Sequence, residues 1–171
     1  MAQPRYSVLN SPRGLAFDST GNLFVANYGS NAIERFTPGG VASFFTGNVN
    51  SPFDLAFDSA GRLYASHGLD TILRFTPDGT ASVFANTTPS SFAYGLAFDS
   101  AGRLFNSGRN GNIIDEFTTA GVRSTFDTAG LNFPTFIAFE ELPLSVPEST
   151  SAALLLGSGL LLSLRRRRGA R

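Results

Sequence analysis

An eleven-residue phrase occurs three times in the chain. It reads Gly14-Leu-Ala-Phe-Asp-Ser-Thr-Gly-Asn-Leu-Phe24, then Asp54-Leu-Ala-Phe-Asp-Ser-Ala-Gly-Arg-Leu-Tyr64, then Gly95-Leu-Ala-Phe-Asp-Ser-Ala-Gly-Arg-Leu-Phe105. Phe17, Phe57 and Phe98 stand 40 and 41 residues apart, and Phe139 follows after another 41 in Phe136-Ile-Ala-Phe139. A fixed period of that length restricts the chain to repeat architectures, in which each copy is one supersecondary unit that buries its apolar face against its neighbours.

Each period holds four short apolar runs. In the first they are 14–18, 23–27, 32–37 and 41–46; in the second, 55–58, 63–66, 71–76 and 81–85; in the third, 96–99, 104–107, 113–118 and 122–126. Turn residues separate them, as in Ser19-Thr-Gly-Asn22, Thr37-Pro-Gly-Gly40 and its counterpart Thr76-Pro-Asp-Gly79. Short runs rich in Phe, Val, Ile and Leu, bounded by Gly, Pro, Asn and Asp, read as strands joined by tight turns. A helix needs a longer run at 3.6-residue spacing. The expected fold is all-β: a partial β-propeller of about three four-stranded antiparallel blades, at 11–50, 51–90 and 91–132, with one more strand at 133–139. The 17 Phe residues recur with the repeat and are expected in the core.

The repeated phrase resembles the opening of each blade in the NHL and gluconolactonase/regucalcin group of propellers, Gly-[Leu/Ile]-Ala-x-Asp-x-x-Gly-x-[Leu/Ile]-[Phe/Tyr]. The resemblance covers residues 10–139. Propellers close with 4–8 blades, so three leave unpaired edges that invite association. Closure would come from blades missing from this sequence, from self-association into a six-bladed ring, or from docking on another protein. The two ends of the chain favour the first.

Those ends disagree. Residues 1–10 lack the apolar stretch of an N-terminal export signal. Residues 141–151 read as a linker, and 152–171 as a hydrophobic helix with an Arg-rich end. The apolar run 152–164 is followed by Arg165, Arg166, Arg167 and Arg168. Residues 1–148 carry eight Arg against 13 acidic residues, whereas 149–171 carry five Arg and no acid. A basic cluster directly after an apolar run reads as membrane topology, and the acidic body argues against nucleic acid. Val146, Pro147 and Glu148, then the apolar helix, then the arginines resemble a bacterial PEP-CTERM sorting signal, with Ser149 replacing that motif's second Pro. This resemblance implies anchoring in the membrane of the bacterial envelope, an exosortase-like processing enzyme as partner, and release to the outer surface or matrix.

Cysteine is absent, which excludes disulfides and thiolate chemistry. Asp18, Asp58 and Asp99 each open an Asp-Ser-x-Gly turn, where a carboxylate can accept backbone N–H groups two residues on. That accounts for them better than a cation site, which needs several converging oxygens. The links between second and third strands share one end of the blades with the links between blades. Asn27, Asn31, His67, Asp70, Arg109 and Asn110 are therefore the candidates for a ligand face, with Asn112 on the same kind of loop and Arg13 and Tyr94 at its rim. His67 beside Asp70 has the makings of a general base, but a solvated loop histidine is the plainer expectation. The gluconolactonase resemblance implies a divalent metal such as calcium, held by a Glu, two Asn and an Asp. No Glu lies on these loops: Glu34 and Glu116 fall in expected strands, and Glu140 and Glu141 follow the last one. The expected function is a non-enzymatic module that binds a ligand or a protein without a cofactor. Part of a metal-dependent lactone hydrolase is the alternative.

Overall fold

The computed structural model describes residues 9–89 and 91–139. The expected linker, Val-Pro-Glu motif, apolar helix and arginine cluster lie outside the described residues.

Among the described residues, twelve strands form three antiparallel sheets, each a simple meander. Blade 1 contains β1 (Pro12–Phe17), β2 (Leu23–Asn27), β3 (Ala32–Phe36) and β4 (Ala42–Gly47). Blade 2 contains β5 (Asp54–Phe57), β6 (Leu63–Ser66), β7 (Thr71–Phe75) and β8 (Ala81–Asn86). Blade 3 contains β9 (Ala93–Phe98), β10 (Leu104–Gly108), β11 (Ile113–Phe117) and β12 (Arg123–Asp127). The all-β expectation of three four-stranded antiparallel sheets holds, but the further strand expected at 133–139 does not form: with no following blade to pair with among the described residues, that segment joins no ladder. β9 begins at Ala93, earlier than the apolar run at Leu96, because Ala93 pairs with Gly108 across an irregularity in the ladder.

The turn chemistry follows the sequence. Asp18 Oδ1 accepts the N–H of Thr20 at 2.9 Å and of Asn22 at 2.8 Å. Asp58 Oδ1 does the same for Ala60 and Arg62, and Asp99 Oδ1 for Ala101 and Arg103. Gly21, Gly61 and Gly102 complete the turns at φ of 84°, 75° and 77°, a region where a side chain would be strained. Burial alone would raise the pKa of Asp58 and Asp99. The backbone and side-chain hydrogen bonds from Arg62 and Arg103, with the charge of those arginines, outweigh it and hold both carboxyls below the usual value.

Each second strand is covered on both faces, which is why its sequence is nearly continuous in apolar and small residues. Its leading aromatic sits at the centre of a cross-blade cluster. Phe24 meets Phe45 of its own blade at 5.0 Å and Phe57 of the next at 5.1 Å, both edge to face. Tyr64 meets Phe84 and Phe98 in the same way, each at 5.0 Å, and Phe105 meets Phe126 at 5.1 Å and Phe139 at 4.7 Å. Each such pair adds about 0.5–1.5 kcal/mol to the apolar burial itself.

A bulge places the second partner. Ile33 pairs with Thr46 and Glu34 with Phe44, so Phe45 is the extra residue of β4. Phe84 in β8 and Phe126 in β12 are left over in the same way. Bulges re-aim side chains, and Phe45, Phe84 and Phe126 are the residues that reach the buried second-strand aromatic. β1 lies against β5 and β5 against β9. The Gly14 N–H donates to Phe53 O at 2.8 Å, and a Cβ at Gly14 would fall 2.4 Å from Asp54 Cα.

Candidate functional site

The end of the blades that carries the links between second and third strands is built from repeat-equivalent staples. Asn31, Asp70 and Asn112 each present Oδ1 to the backbone N–H of the residue that turns the chain into the next inner strand: Ser51 at 2.8 Å, Phe92 at 3.2 Å and Phe133 at 2.8 Å. Those three acceptor-bound residues have φ of 48°, 55° and 49°. The side chain of one blade thus holds a left-handed backbone position of the following link, and the geometry is structural.

Asn27 and His67 occupy one repeat position and both are buried. Asn27 Oδ1 accepts the Asn10 N–H at 2.6 Å. His67 Nε2 lies 2.5 Å from Thr71 Oγ1, and the ring faces the backbone of Asn50, the counterpart of Asn10. Burial pushes the His67 pKa down, with the Asn50 contact pulling the other way. The expectation of a solvated loop histidine is therefore corrected. The link folds inward over His67, and the neutral ring is a packing element at neutral pH. The Asn110 N–H donates to Ser91 O at 2.8 Å, and its side chain is exposed.

Arg109 belongs to a different feature. The Arg13 guanidinium lies 4.1 Å over the Tyr28 ring and 5.1 Å from the centre of Phe53, and its Nη1 donates to the Tyr94 hydroxyl at 2.5 Å. Phe53 and Tyr94 stack at 4.4 Å with 25° between their planes. Arg109 then lies 5.6 Å from the Tyr94 ring and 5.9 Å from Phe133. Tyr28, Arg13, Phe53, Tyr94, Arg109 and Phe133 form one row of rings and guanidiniums across all three blades. Arg13, Arg109 and Phe133 are exposed, and Tyr28, Phe53 and Tyr94 partly so. Exposed cation–π contacts of this kind contribute about 0.5–1 kcal/mol each.

The sequence placed Arg13, Tyr94 and Arg109 at the rim but missed Tyr28, Phe53 and Phe133, because every Phe was assigned to the core. A usable signal was present. Arg13, Phe53 and Tyr94 occupy one repeat position, as do Tyr28, Gly68 and Arg109, and both positions vary where the rest of the phrase is constant. Asp54 was also missed. It stands where Gly14 and Gly95 stand in the other blades, and its Oδ2 accepts the Leu96 N–H at 2.9 Å. Burial raises its pKa, against the N–H bonds from Leu96 and Leu55.

The metal set implied by the gluconolactonase resemblance does not fit these loops. Asn27, Asn31 and Asp70 hold backbone N–H groups, and Glu34 and Glu116 lie in β3 and β11. Among the described residues, no three His, Asp or Glu side chains group closely enough to hold an ion.

The NHL repeat family model matches residues 9–36. Among solved structures, the chain is similar to virginiamycin B lyase from Staphylococcus aureus, at 19% identity and TM-score 0.66, over 76% of this chain and 46% of that one. It is similar to a chain of the nidogen/laminin complex, at 22% identity and TM-score 0.69, over 77% and 54%. A calcium-binding protein, regucalcin, from Agrobacterium tumefaciens aligns at 18% identity and TM-score 0.63, over 73% and 48%. No curated protein sequence matches the chain. The likeness establishes the β-propeller fold, and the chain spans about half the length of the propellers it matches.

Proposed function

We propose that the chain is a non-enzymatic binding module of the bacterial envelope, and that the row from Tyr28 to Phe133 is its contact surface for acidic saccharides. The row itself carries the reading: the exposed Phe133 ring and the partly exposed Tyr and Phe rings beside it suit the C–H faces of sugar rings, and the exposed Arg13 and Arg109 suit their carboxylates. The loop carboxamides and carboxylate that would serve a hydrolase instead secure the backbone. The lactonase alternative has only the fold in its support, and a propeller hosts unrelated activities.

The test is titration with polygalacturonate, followed by tyrosine fluorescence in a chain that has four Tyr and no Trp. Saturable binding is expected, weakened at least ~10-fold by Arg109→Ala or Arg13→Ala, with no response to neutral dextran. Equal binding of both polymers, or variants that bind as the parent does, would defeat the reading.

In the same proposal the C-terminal segment anchors the module in the membrane and presents Val146, Pro147 and Glu148 to an exosortase-like enzyme. The arginines at 165–168 then hold the end of the chain on the cytoplasmic side. Replacing all four by Gln is expected to change which end is open to protease in spheroplasts, and unchanged accessibility counts against it.

A further inference from the structure

Repeat-equivalent residues on the first face of each blade have opposite fates. Leu55 and Leu96 are 4% and 5% exposed, whereas Leu15 is 58% exposed. Phe75 and Phe117 are buried, whereas their counterpart Phe36 is only partly covered. A Cβ at Gly79 or Gly121 would fall 2.6 Å from the carbonyl oxygen of Phe45 or Phe84 in the preceding blade, while the space at Gly40 is open. Blade 1 therefore carries the residues of an inter-blade face that no blade covers among the described residues.

The other end of the arc carries the complementary half. Phe45 touches Phe75 at 6.2 Å and Phe84 touches Phe117 at 6.5 Å. Phe126, the third member of that set, is 38% exposed and meets no such following-blade ring among the described residues. Residues 131–139 lie there instead as a segment outside any sheet. Their sequence, Leu131-Asn-Phe-Pro-Thr-Phe-Ile-Ala-Phe139, parallels Leu9-Asn-Ser-Pro-Arg-Gly-Leu-Ala-Phe17. Phe133 and Ser11 share the left-handed conformation at φ of 49° and 51°, and Phe139 covers Phe105 as Phe57 covers Phe24.

We propose that blade 1 of one copy docks on blade 3 of a second copy, its β1 (Pro12–Phe17) taking the place of the matching residues 134–139, so that two chains close one six-bladed ring. The partner's Phe17 meets Phe105, its Phe36 meets Phe126, and its Gly40 admits the Phe126 backbone. The established interfaces between blades 1 and 2 and between blades 2 and 3 supply the geometry, and two arcs of three blades each supply six. Two equal interfaces related by a twofold axis form a closed assembly with no free blade face.

Light scattering on the full chain in a mild detergent, with bound detergent subtracted, tests this. The expected mass is twice 18.2 kDa. Phe17→Glu and Phe126→Glu are each expected to give monomers with unchanged far-ultraviolet circular dichroism. Mixing the two variants restores a pair, because one intact face remains on each. Phe44→Glu, at an exposed ring outside the interface, leaves the mass unchanged. A monomeric parent chain overturns the proposal. So does a pair insensitive to Phe17→Glu and Leu15→Glu, or a Phe17→Glu and Phe126→Glu mixture that stays monomeric.

Discussion

Replacing Leu15, Leu55 and Leu96 in turn by alanine removes the same carbons from one repeat position in three surroundings. Leu55 and Leu96 are enclosed, at 4% and 5% exposure. Truncating an enclosed leucine costs the lost transfer energy plus a cavity term, about 2–5 kcal/mol in total. Leu15 is 58% exposed, so less than half of its surface was ever removed from water, and no cavity forms. Its truncation is expected to cost under about 0.5–1 kcal/mol in the isolated arc. With a urea m-value of about 2 kcal/mol/M, a 3 kcal/mol loss lowers the unfolding midpoint by about 1.5 M, against a few tenths for Leu15→Ala. The assay is urea unfolding followed by circular dichroism in dilute solution, with the m-values compared to confirm a common transition. Equal midpoints for all three variants at dilution would refute the reasoning, since they would mean that blade 1 is as covered as its neighbours. Repeating the series at high concentration adds a second reading: the Leu15→Ala deficit should grow there, and only there, as the paired form takes over.

Gly40, Gly79 and Gly121 all have positive φ, so alanine at any of them carries backbone strain of about 1–2 kcal/mol. Only Gly79→Ala and Gly121→Ala also meet a carbonyl oxygen at 2.6 Å, and thermal unfolding should rank both well below Gly40→Ala. His67 binds its proton less readily when folded, so the unfolded chain holds more protons below pH 6.5. Stability should therefore fall as pH drops through 6.5 until the folded pKa is passed, and His67→Gln should flatten that slope in urea midpoints measured from pH 5 to 8. Asp58 and Asp99 have depressed folded values, so their contribution is present above pH 3.8 and disappears as pH falls through the lower folded pKa. Asp99→Asn should cost about 1 kcal/mol at pH 7 and almost nothing in strong acid.

The strands were legible because everything that makes them lies within one period. The Asp-Ser-x-Gly turn is closed by hydrogen bonds between residues two and four apart, as those the Ala60 and Arg62 N–H groups donate to Asp58. A local signal suffices for a local structure. The bulges were not legible. Phe44 and Phe45 are identical in sequence, and only the pairing of Ile33 with Thr46 and Glu34 with Phe44 decides which ring turns inward. His67 likewise looked like any loop histidine, since its burial depends on Asn50 and Thr71 closing over it.

The rim row shows why the candidate site was harder to read than the blades. A repeat is recognised by what stays constant, and the constant residues here are scaffold: Phe57 and Phe98 pack between blades, and Gly61 and Gly102 turn the chain. Individuality enters where the period is broken without breaking the fold. Arg13, Phe53 and Tyr94 share one position, and so do Gly14, Asp54 and Gly95. None of these substitutions is required by a strand, a turn or the aromatic cluster. Arg13 and Tyr94, 81 residues apart, nonetheless meet through a hydrogen bond and a shared ring stack. In a chain that repeats this closely, the positions that differ between copies on one face are the part free to be shaped by a ligand, and here those positions converge.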